Sequence, residues 1–316
     1  MKPDADSGRG AWILVGPTAT GKTAVANELA RRLGADVLSA DSMLVYRGMD
    51  VGTAKPTADE LRGIVVHGID LADPGEIFSV GAWLAAARAA FASAEARGRD
   101  MIVAGGTGLY VNALLRGLDA PAADPALRER LEALARDGGA DALRECAERL
   151  LPGSTARLPD PGNPRRLIRL VERLSAGAAP GGAGLACRGR VVAGLSIAPA
   201  ALAARIAARV EAMFEGGLLD EVARLRAARP GFSATAGMGI GYAEAAAVLD
   251  GVMTREAAAE RIAARTRQLA KRQRTWFRTQ LDVDWIDGPA DDADVARAAD
   301  GVLEIWKRHG KTPVAV

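Results

Sequence analysis

Short apolar runs alternate with amphipathic stretches over the first third of the chain. Ala11 to Val15 is an unbroken apolar run that stops at Gly16-Pro17, and after Thr18 to Gly21 the periodic stretch Thr23 to Leu33 begins. This order predicts a strand, a tight loop and a helix. A second strand is expected at Asp36 to Leu38, with Ser39 to Asp50 as strand end and loop and Val51 to Pro56 as a Gly-containing loop. Ile64 to Ile69 and Met101 to Ala104 are further strand-length runs, and a helix is expected over Val80 to Arg97 between them. Strands alternating with helices predict a parallel sheet covered on both faces.

The pattern changes after Gly117. Pro125 to Arg136, Ala140 to Leu150 and Pro164 to Leu174 are Ala/Leu/Arg helical stretches without strand runs. Pro180 to Gly184 reads as a flexible segment, Val191 to Ile197 as one more strand, and everything beyond as helical: Leu202 to Glu215, Leu218 to Ala228, Tyr242 to Leu249 and Thr254 to Thr279. The expected organisation is a disordered start over residues 1–10, a core of residues 11–119 and 191–316, and an all-helical insertion domain over residues 120–190.

Composition narrows the class without choosing a function. With 316 residues, 49% of them apolar, the chain can bury a large core. No apolar run approaches the roughly 20 residues that cross a bilayer, so a soluble, cytoplasmic protein with no membrane partner is expected, and monomer is the default. Cys146 and Cys187 stand without metal-ligand spacing. The net charge of +2 leaves any polyanion contact to local clustering.

Two local patterns supply candidate chemistry. Gly16-Pro17-Thr18-Ala19-Thr20-Gly21-Lys22-Thr23 fits the phosphate-loop pattern and sits between an expected strand and helix. In such a loop backbone N–H groups converge on phosphate oxygens, Lys22 reaches an outer phosphate and Thr23 can ligate magnesium. The fold class expected is therefore α/β, a P-loop NTPase-like parallel sheet flanked by helices. The run Met101 to Ala104 ends in Gly105-Gly106-Thr107-Gly108 with no acid, which weakens a hydrolase reading; Asp70 is the alternative carboxylate or a turn residue. Asp41, closing the second strand, lies where parallel sheets place ligands and suits a general base or a turn. Gly105 to Gly108 either bring backbone and the Thr107 hydroxyl close to a ligand or form a simple tight turn. In the second pattern, Arg261 to Arg278 carries seven cations and no acid; Arg267, Lys271, Arg274 and Arg278 share one helical face, with Ile262, Leu269 and Trp276 on the packing side. Such a face suits a phosphate backbone or a diphosphate.

Together these segments resemble the bacterial tRNA dimethylallyltransferase, or tRNA isopentenyltransferase, family. The matching stretches are Gly16 to Thr23, DSMLVYRGMDVGTAKP at Asp41 to Pro56, GGTGLY at Gly105 to Tyr110, GIGY at Gly239 to Tyr242, and TRQLAKRQRTWFR at Thr266 to Arg278. The resemblance implies transfer of a dimethylallyl group from dimethylallyl diphosphate to N6 of the adenosine 3′-adjacent to the tRNA anticodon. It implies Asp41, Thr107 and Lys22 as catalytic, Gly16 to Thr23 and Arg272 as diphosphate-binding, and Thr23 as a ligand of Mg2+. For the anticodon stem-loop it implies Asp41, Ser42, Met43, Leu44, Thr107, Gly239, Gly241, Tyr242, Lys271, Arg274 and Arg278, with Arg128, Arg165, Arg166 and Arg169 of the insertion. Two departures stand out: relatives usually carry His-Pro-Asn-Asp where this chain reads Pro159 to Pro164, and after Glu221-Val222 comes Ala223-Arg224 in place of an immediate basic residue. A P-loop kinase for a nucleoside or other small metabolite, and a non-catalytic RNA-binding module, are the competing readings.

Overall fold

The computed structural model describes residues 8–117, 124–158, 160–177, 187–228 and 231–316. Its contacts divide the chain into one unit of Met1–Gly117 with Cys187–Val316 and a second of Leu118–Ala186.

The first unit opens with β1 (Gly10–Val15), α1 (Lys22–Leu33), β2 (Asp36–Ser39), β3 (Val66–His67), α2 (Val80–Ala96), β4 (Met101–Gly105) and α3 (Gly108–Arg116). The second unit contributes α4 (Pro125–Leu150) and α5 (Pro164–Ser175). The chain then continues through β5 (Cys187–Ser196), α6 (Pro199–Glu215), α7 (Leu218–Ala228), α8 (Tyr242–Leu249), α9 (Arg255–Gln280), β6 (Leu281–Asp287), α10 (Val295–His309) and β7 (Thr312–Pro313). The strand order is β3-β2-β4-β1-β5-β6. Those six run parallel, and only β7 is antiparallel, pairing Pro313 with Gly10. Parallel pairing puts the loops after β1, β2 and β4 on one edge of the sheet, where Gly16, Asp41 and Gly106 follow the strand ends.

Apolar strands become central because helices cover them. Leu14, Ile102 and Leu195 meet Val25 and Leu29 of α1 and Val302 and Trp306 of α10, all buried. Each such side chain contributes roughly 1.5–3 kcal/mol relative to exposure. Trp12 stacks on Trp306 at 5.4 Å, and the Trp306 indole donates to the Ile13 carbonyl.

The structure corrects several expectations. Residues 8–10 are not frayed: Gly10 opens β1, the Arg9 carbonyl accepts the Val314 N–H, and Arg9 pairs with Glu95, because the carboxyl terminus returns as β7. The strand expected over Ile64 to Ile69 shrinks to Val66–His67, since Gly68 turns the chain at φ 81°. The segment after Thr279 is not all helix: β6 extends the sheet edge and α10 covers the core, while α3 follows β4 directly. The insertion helices expected at Pro125 to Arg136 and Ala140 to Leu150 are present as two helical stretches of α4, separated where expected by a non-helical Gly139 at φ 65°.

In the second unit Leu131, Leu143, Leu167, Leu170 and Val171 form a separate core. The departure at Pro159 to Pro164 ends as a helix start. Asn163 accepts the Arg165 N–H and Pro164 occupies the first turn of α5, where a missing N–H costs nothing. Pro159 lies outside the described residues, as do residues 1–7. Among the described residues no helix is long and apolar enough to cross a membrane.

Candidate active site

The loop between β1 and α1 folds tightly against the rest of the sheet. Gly16 has φ 151°, and a Cβ there would stand 2.5 Å from the Leu195 carbonyl oxygen. The Pro17 carbonyl accepts from the Thr20 hydroxyl at 2.9 Å and from the Lys22 ammonium. Thr18, Ala19, Gly21, Lys22 and Thr23 line a cavity of about 760 Å³ that also receives Asp41, Arg205 and Arg209. Of the residues expected to hold diphosphate, Gly16, Pro17 and Thr20 do not line it. Thr20 is fully buried with its hydroxyl turned into the loop, and Pro17 has no N–H to donate. These three shape the loop instead.

Burial pushes the Lys22 ammonium down to about 8; the nearby Asp41 charge opposes this and Arg209 adds to it. Burial likewise lowers Arg209, again opposed by Asp41. The Arg209 guanidinium donates to the Thr53 carbonyl at 2.9 Å. Arg205, one turn earlier on α6, bonds the Pro289 and Ala290 carbonyls beside the phosphate loop. Lys22, Arg205 and Arg209 therefore rest on carbonyls, and an anionic ligand would complete them.

Asp41 follows β2. Its Oδ1 accepts the Met43 N–H at 2.8 Å, which fixes the carboxylate plane and leaves Oδ2 for a proton. The Thr107 hydroxyl accepts the Ser42 N–H at 3.0 Å and lies 3.3 Å from the Ser42 hydroxyl, tying the loop after β4 to the one after β2. Gln273 of α9 ties a third. Its Oε1 accepts the Thr18 N–H at 2.8 Å while its amide donates to the Gly106 carbonyl at 3.0 Å.

A second cavity, of about 700 Å³, meets the first at Asp41. It is lined by Ser42, Met43, Thr107, Gly239 and Arg272, with an apolar wall of Ile206, Val210, Met213, Leu269 and Phe277. Leu44 turns into the first cavity and Arg272 into the second, so Arg272 is not among the residues around the phosphate loop. Gly241 and Tyr242, expected at RNA, are buried; the Tyr242 hydroxyl is taken by Glu221 at 2.7 Å, so that side chain presents nothing to a ligand.

The basic helix is less uniform than its sequence. Arg261 and Arg265 pair with Glu244 of α8, whereas Lys271 and Arg278 are exposed and Arg274 is half-buried. The packing face holds Ile262, Ala263, Ala270 and Phe277. In the second unit, Arg128 and Arg169 both hold the buried Glu172, Arg128 at 2.8 Å and Arg169 at 2.9 Å, while their side chains stay partly exposed. Arg165 and Arg166 are exposed. Asp70 is a turn residue, at φ 54° and paired with Lys55 at 2.6 Å.

Three residues of the site went unnoticed in the sequence: Arg205, Arg209 and Gln273. The first two, four residues apart on a helix, carried one signal, a shared face; Gln273 lies inside the matching stretch Thr266 to Arg278, where the cations drew the reading away from it.

Two family models match the chain, one described as IPP transferase over residues 44–280 and one as isopentenyl transferase over residues 9–70. The tRNA dimethylallyltransferase of Anaeromyxobacter dehalogenans is 47% identical over 292 residues, covering 90% of this chain and 97% of that protein. The crystal structure of the full-length tRNA isopentenylpyrophosphate transferase from Bacillus halodurans is 36% identical with a TM-score of 0.65, covering 95% and 99% of the two chains. A eukaryotic dimethylallyltransferase acting on tRNA shares the fold, with 23% identity and a TM-score of 0.70 over 95% of this chain and 76% of its own. A phosphate loop facing a strand-end carboxylate is common to many P-loop folds, but the IPP transferase match runs over residues 44–280 and a relative of that activity is 47% identical over 90% of this chain: the chain belongs to the IPP transferase family.

Proposed function

We propose that this protein transfers the dimethylallyl group of dimethylallyl diphosphate to N6 of the adenosine 3′-adjacent to the anticodon of a tRNA, releasing diphosphate. The observation that carries this reading is the seam between the cavities, where Thr18, Asp41, Thr53, Gly106, Arg209 and Gln273 line both. One side offers cations and a helix N-terminus to a diphosphate, the other a partly apolar chamber to a base, and the carboxylate stands between them.

As the bond from the allylic carbon to oxygen breaks, negative charge grows on the leaving diphosphate, and Lys22, Arg209 and the start of α1 face it. The adenine N6 attacks that carbon and passes its proton to Asp41 Oδ2. Ile206, Val210 and Met213 keep water from the allylic carbon, which would otherwise be hydrolysed. A paired or stacked adenine cannot reach the seam, so the base must be splayed from the anticodon loop. Exposed Lys271 and Arg278 of α9 are available to the RNA backbone.

The residues present fit magnesium. The Thr23 hydroxyl and the Asp41 carboxylate both line the diphosphate cavity. Among the described residues no group of three His, Cys, Asp or Glu could hold a metal alone, and magnesium typically takes its other ligands from substrate phosphates and water. When bound, the cation would neutralise charge on the leaving group. A small-molecule kinase is not favoured: β4 ends on Gly105, and Asp70 is committed to Lys55.

The test is incubation with radiolabelled dimethylallyl diphosphate, magnesium and an unmodified anticodon stem-loop. Label on the RNA that depends on Asp41 supports the reading; folded protein that transfers none, but turns over ATP on a metabolite panel, overturns it.

A further inference from the structure

Parts of two matching stretches have no role in the reaction as described: Asp50 to Gly52, and Tyr242 at the end of Gly239 to Tyr242. They meet at Glu221. This carboxylate, on α7 and 2% exposed, accepts the backbone N–H groups of Asp50 at 2.9 Å, Val51 at 2.7 Å and Gly52 at 3.1 Å, and the Tyr242 hydroxyl at 2.7 Å. Burial, reinforced by Glu221, drives the Tyr242 phenol well above its ordinary value, so it remains a donor. The ring packs against Gly52, where a Cβ would stand 2.6 Å from ring carbons. The next residue, Thr53, lines both cavities, and its carbonyl accepts the Arg209 guanidinium at 2.9 Å. An unbroken line of contacts thus runs from Tyr242 through Glu221 and residues 50–52 to the cation at the seam.

We propose that Glu221 and Tyr242 are positioning residues, which act through the Asp50 to Thr53 segment to set the carbonyl that aims Arg209 at the leaving diphosphate. This rests on the reaction assigned above. It gives the buried Tyr242 a role other than RNA contact, and explains why a carboxylate sits where three consecutive N–H groups converge: one neutral acceptor could not satisfy them and a phenol together.

The test is a double-mutant cycle on kcat, with KM measured for both substrates and activity assayed well below each variant's melting temperature. Tyr242→Phe, which removes one hydrogen bond and keeps the ring, lowers kcat about 3–10-fold, and Glu221→Gln about 30-fold, while KM for the stem-loop stays within about twofold. In an Arg209→Gln background the same changes lose their effect to within about twofold, which a merely structural role does not produce. Full additivity in that background overturns the proposal, as does a rise in KM for the stem-loop with kcat unchanged. If Glu221→Gln does not fold, Tyr242→Phe carries the cycle. If the wild type transfers no label, the assigned reaction fails, and calorimetry with inorganic diphosphate still reads the device: Tyr242→Phe weakens binding only while Arg209 is present, and equal weakening without Arg209 overturns it.

Discussion

The two edges of one sheet treat buried charge in opposite ways. At the amino-terminal edge, Asp36 is fully buried and held by His67 at 2.8 Å, Arg99 at 2.7 Å and Arg97. Nearby, Asp100 is desolvated, yet hydrogen bonds from Lys311 and Trp12 keep it below the usual carboxylate range. Every acid there has its cation. At the carboxyl edge, Lys22 and Arg209 are desolvated enough to lower both, and their hydrogen bonds go to the Pro17 and Thr53 carbonyls. The first arrangement is finished by folding; the second is finished by an anion. Charge that stabilises the fold is paired within the chain, and charge that serves the reaction is left facing a cavity.

The largest expected effects sit at the carboxyl edge. Asp41→Asn keeps the shape and removes the proton acceptor, so kcat for transfer falls about 10²–10⁴-fold while diphosphate binding, measured by calorimetry, survives. Arg209→Gln removes a cation aimed at the leaving group and lowers kcat about 10²–10³-fold, by analogy with loss of one oxyanion donor. Arg209 is half-buried, its hydrogen bond goes to a carbonyl, and the Asp41 charge offsets its desolvation only in part, so Arg209→Gln leaves the melting temperature unchanged or raised. A large loss of stability would show that Arg209 belongs with the structural charges.

At the amino-terminal edge the prediction reverses. Asp36→Asn strands one histidine and two arginines, costing about 2–3 kcal/mol, less than a fully enclosed pair because Arg97 and Arg99 reach water. Denaturant unfolding should register that loss while kcat per folded molecule stays within about twofold. A fall in kcat at unchanged stability would break the division between the edges.

How far the sequence shows this depends on where a signal is written. Strand-length apolar runs and the spacing from Gly16 to Thr23 expose the parallel sheet and its phosphate loop, because backbone geometry there demands particular residues. β6 was hidden because Gln280 passes into Leu281 without a Gly or Pro, and its mixed burial blurs the alternation. Arg209 was hidden among the alanines and arginines of α6, whose helical pattern is the same whether an arginine meets water or a cavity. The Glu221 clamp was least visible of all, since its partners include three backbone N–H groups, which any residue but proline supplies. The Arg128–Glu172 pairing was hidden for a related reason: the two lie 44 positions apart, and only the fold brings them together.

The smallest expected effect is the pH dependence of diphosphate binding. With Lys22 lowered to about 8 in the free protein, part of the population carries a neutral amine above that pH. A diphosphate favours the ammonium and raises its affinity for the proton, so binding takes up a proton in this range. The dissociation constant for inorganic diphosphate is therefore flat below about pH 8, after allowance for the ligand's own ionisation. Above it, the constant rises towards tenfold per pH unit, until the bound-state value is passed. Calorimetry at about pH 8.5, in two buffers of different ionisation enthalpy, reads the uptake directly, and Lys22→Arg, which keeps its charge, abolishes it. The same shift has a consequence for folding. Lys22 loses its proton more readily folded than unfolded, so its burial opposes stability fully below about pH 8 and progressively less as pH rises to the unfolded value of 10.5. Lys22→Met should accordingly melt higher than wild type near neutral pH while binding no diphosphate. If it melts lower, Lys22 is already satisfied by the loop carbonyl, and the carboxyl edge is less open to its ligand than the paired edge opposite makes it look.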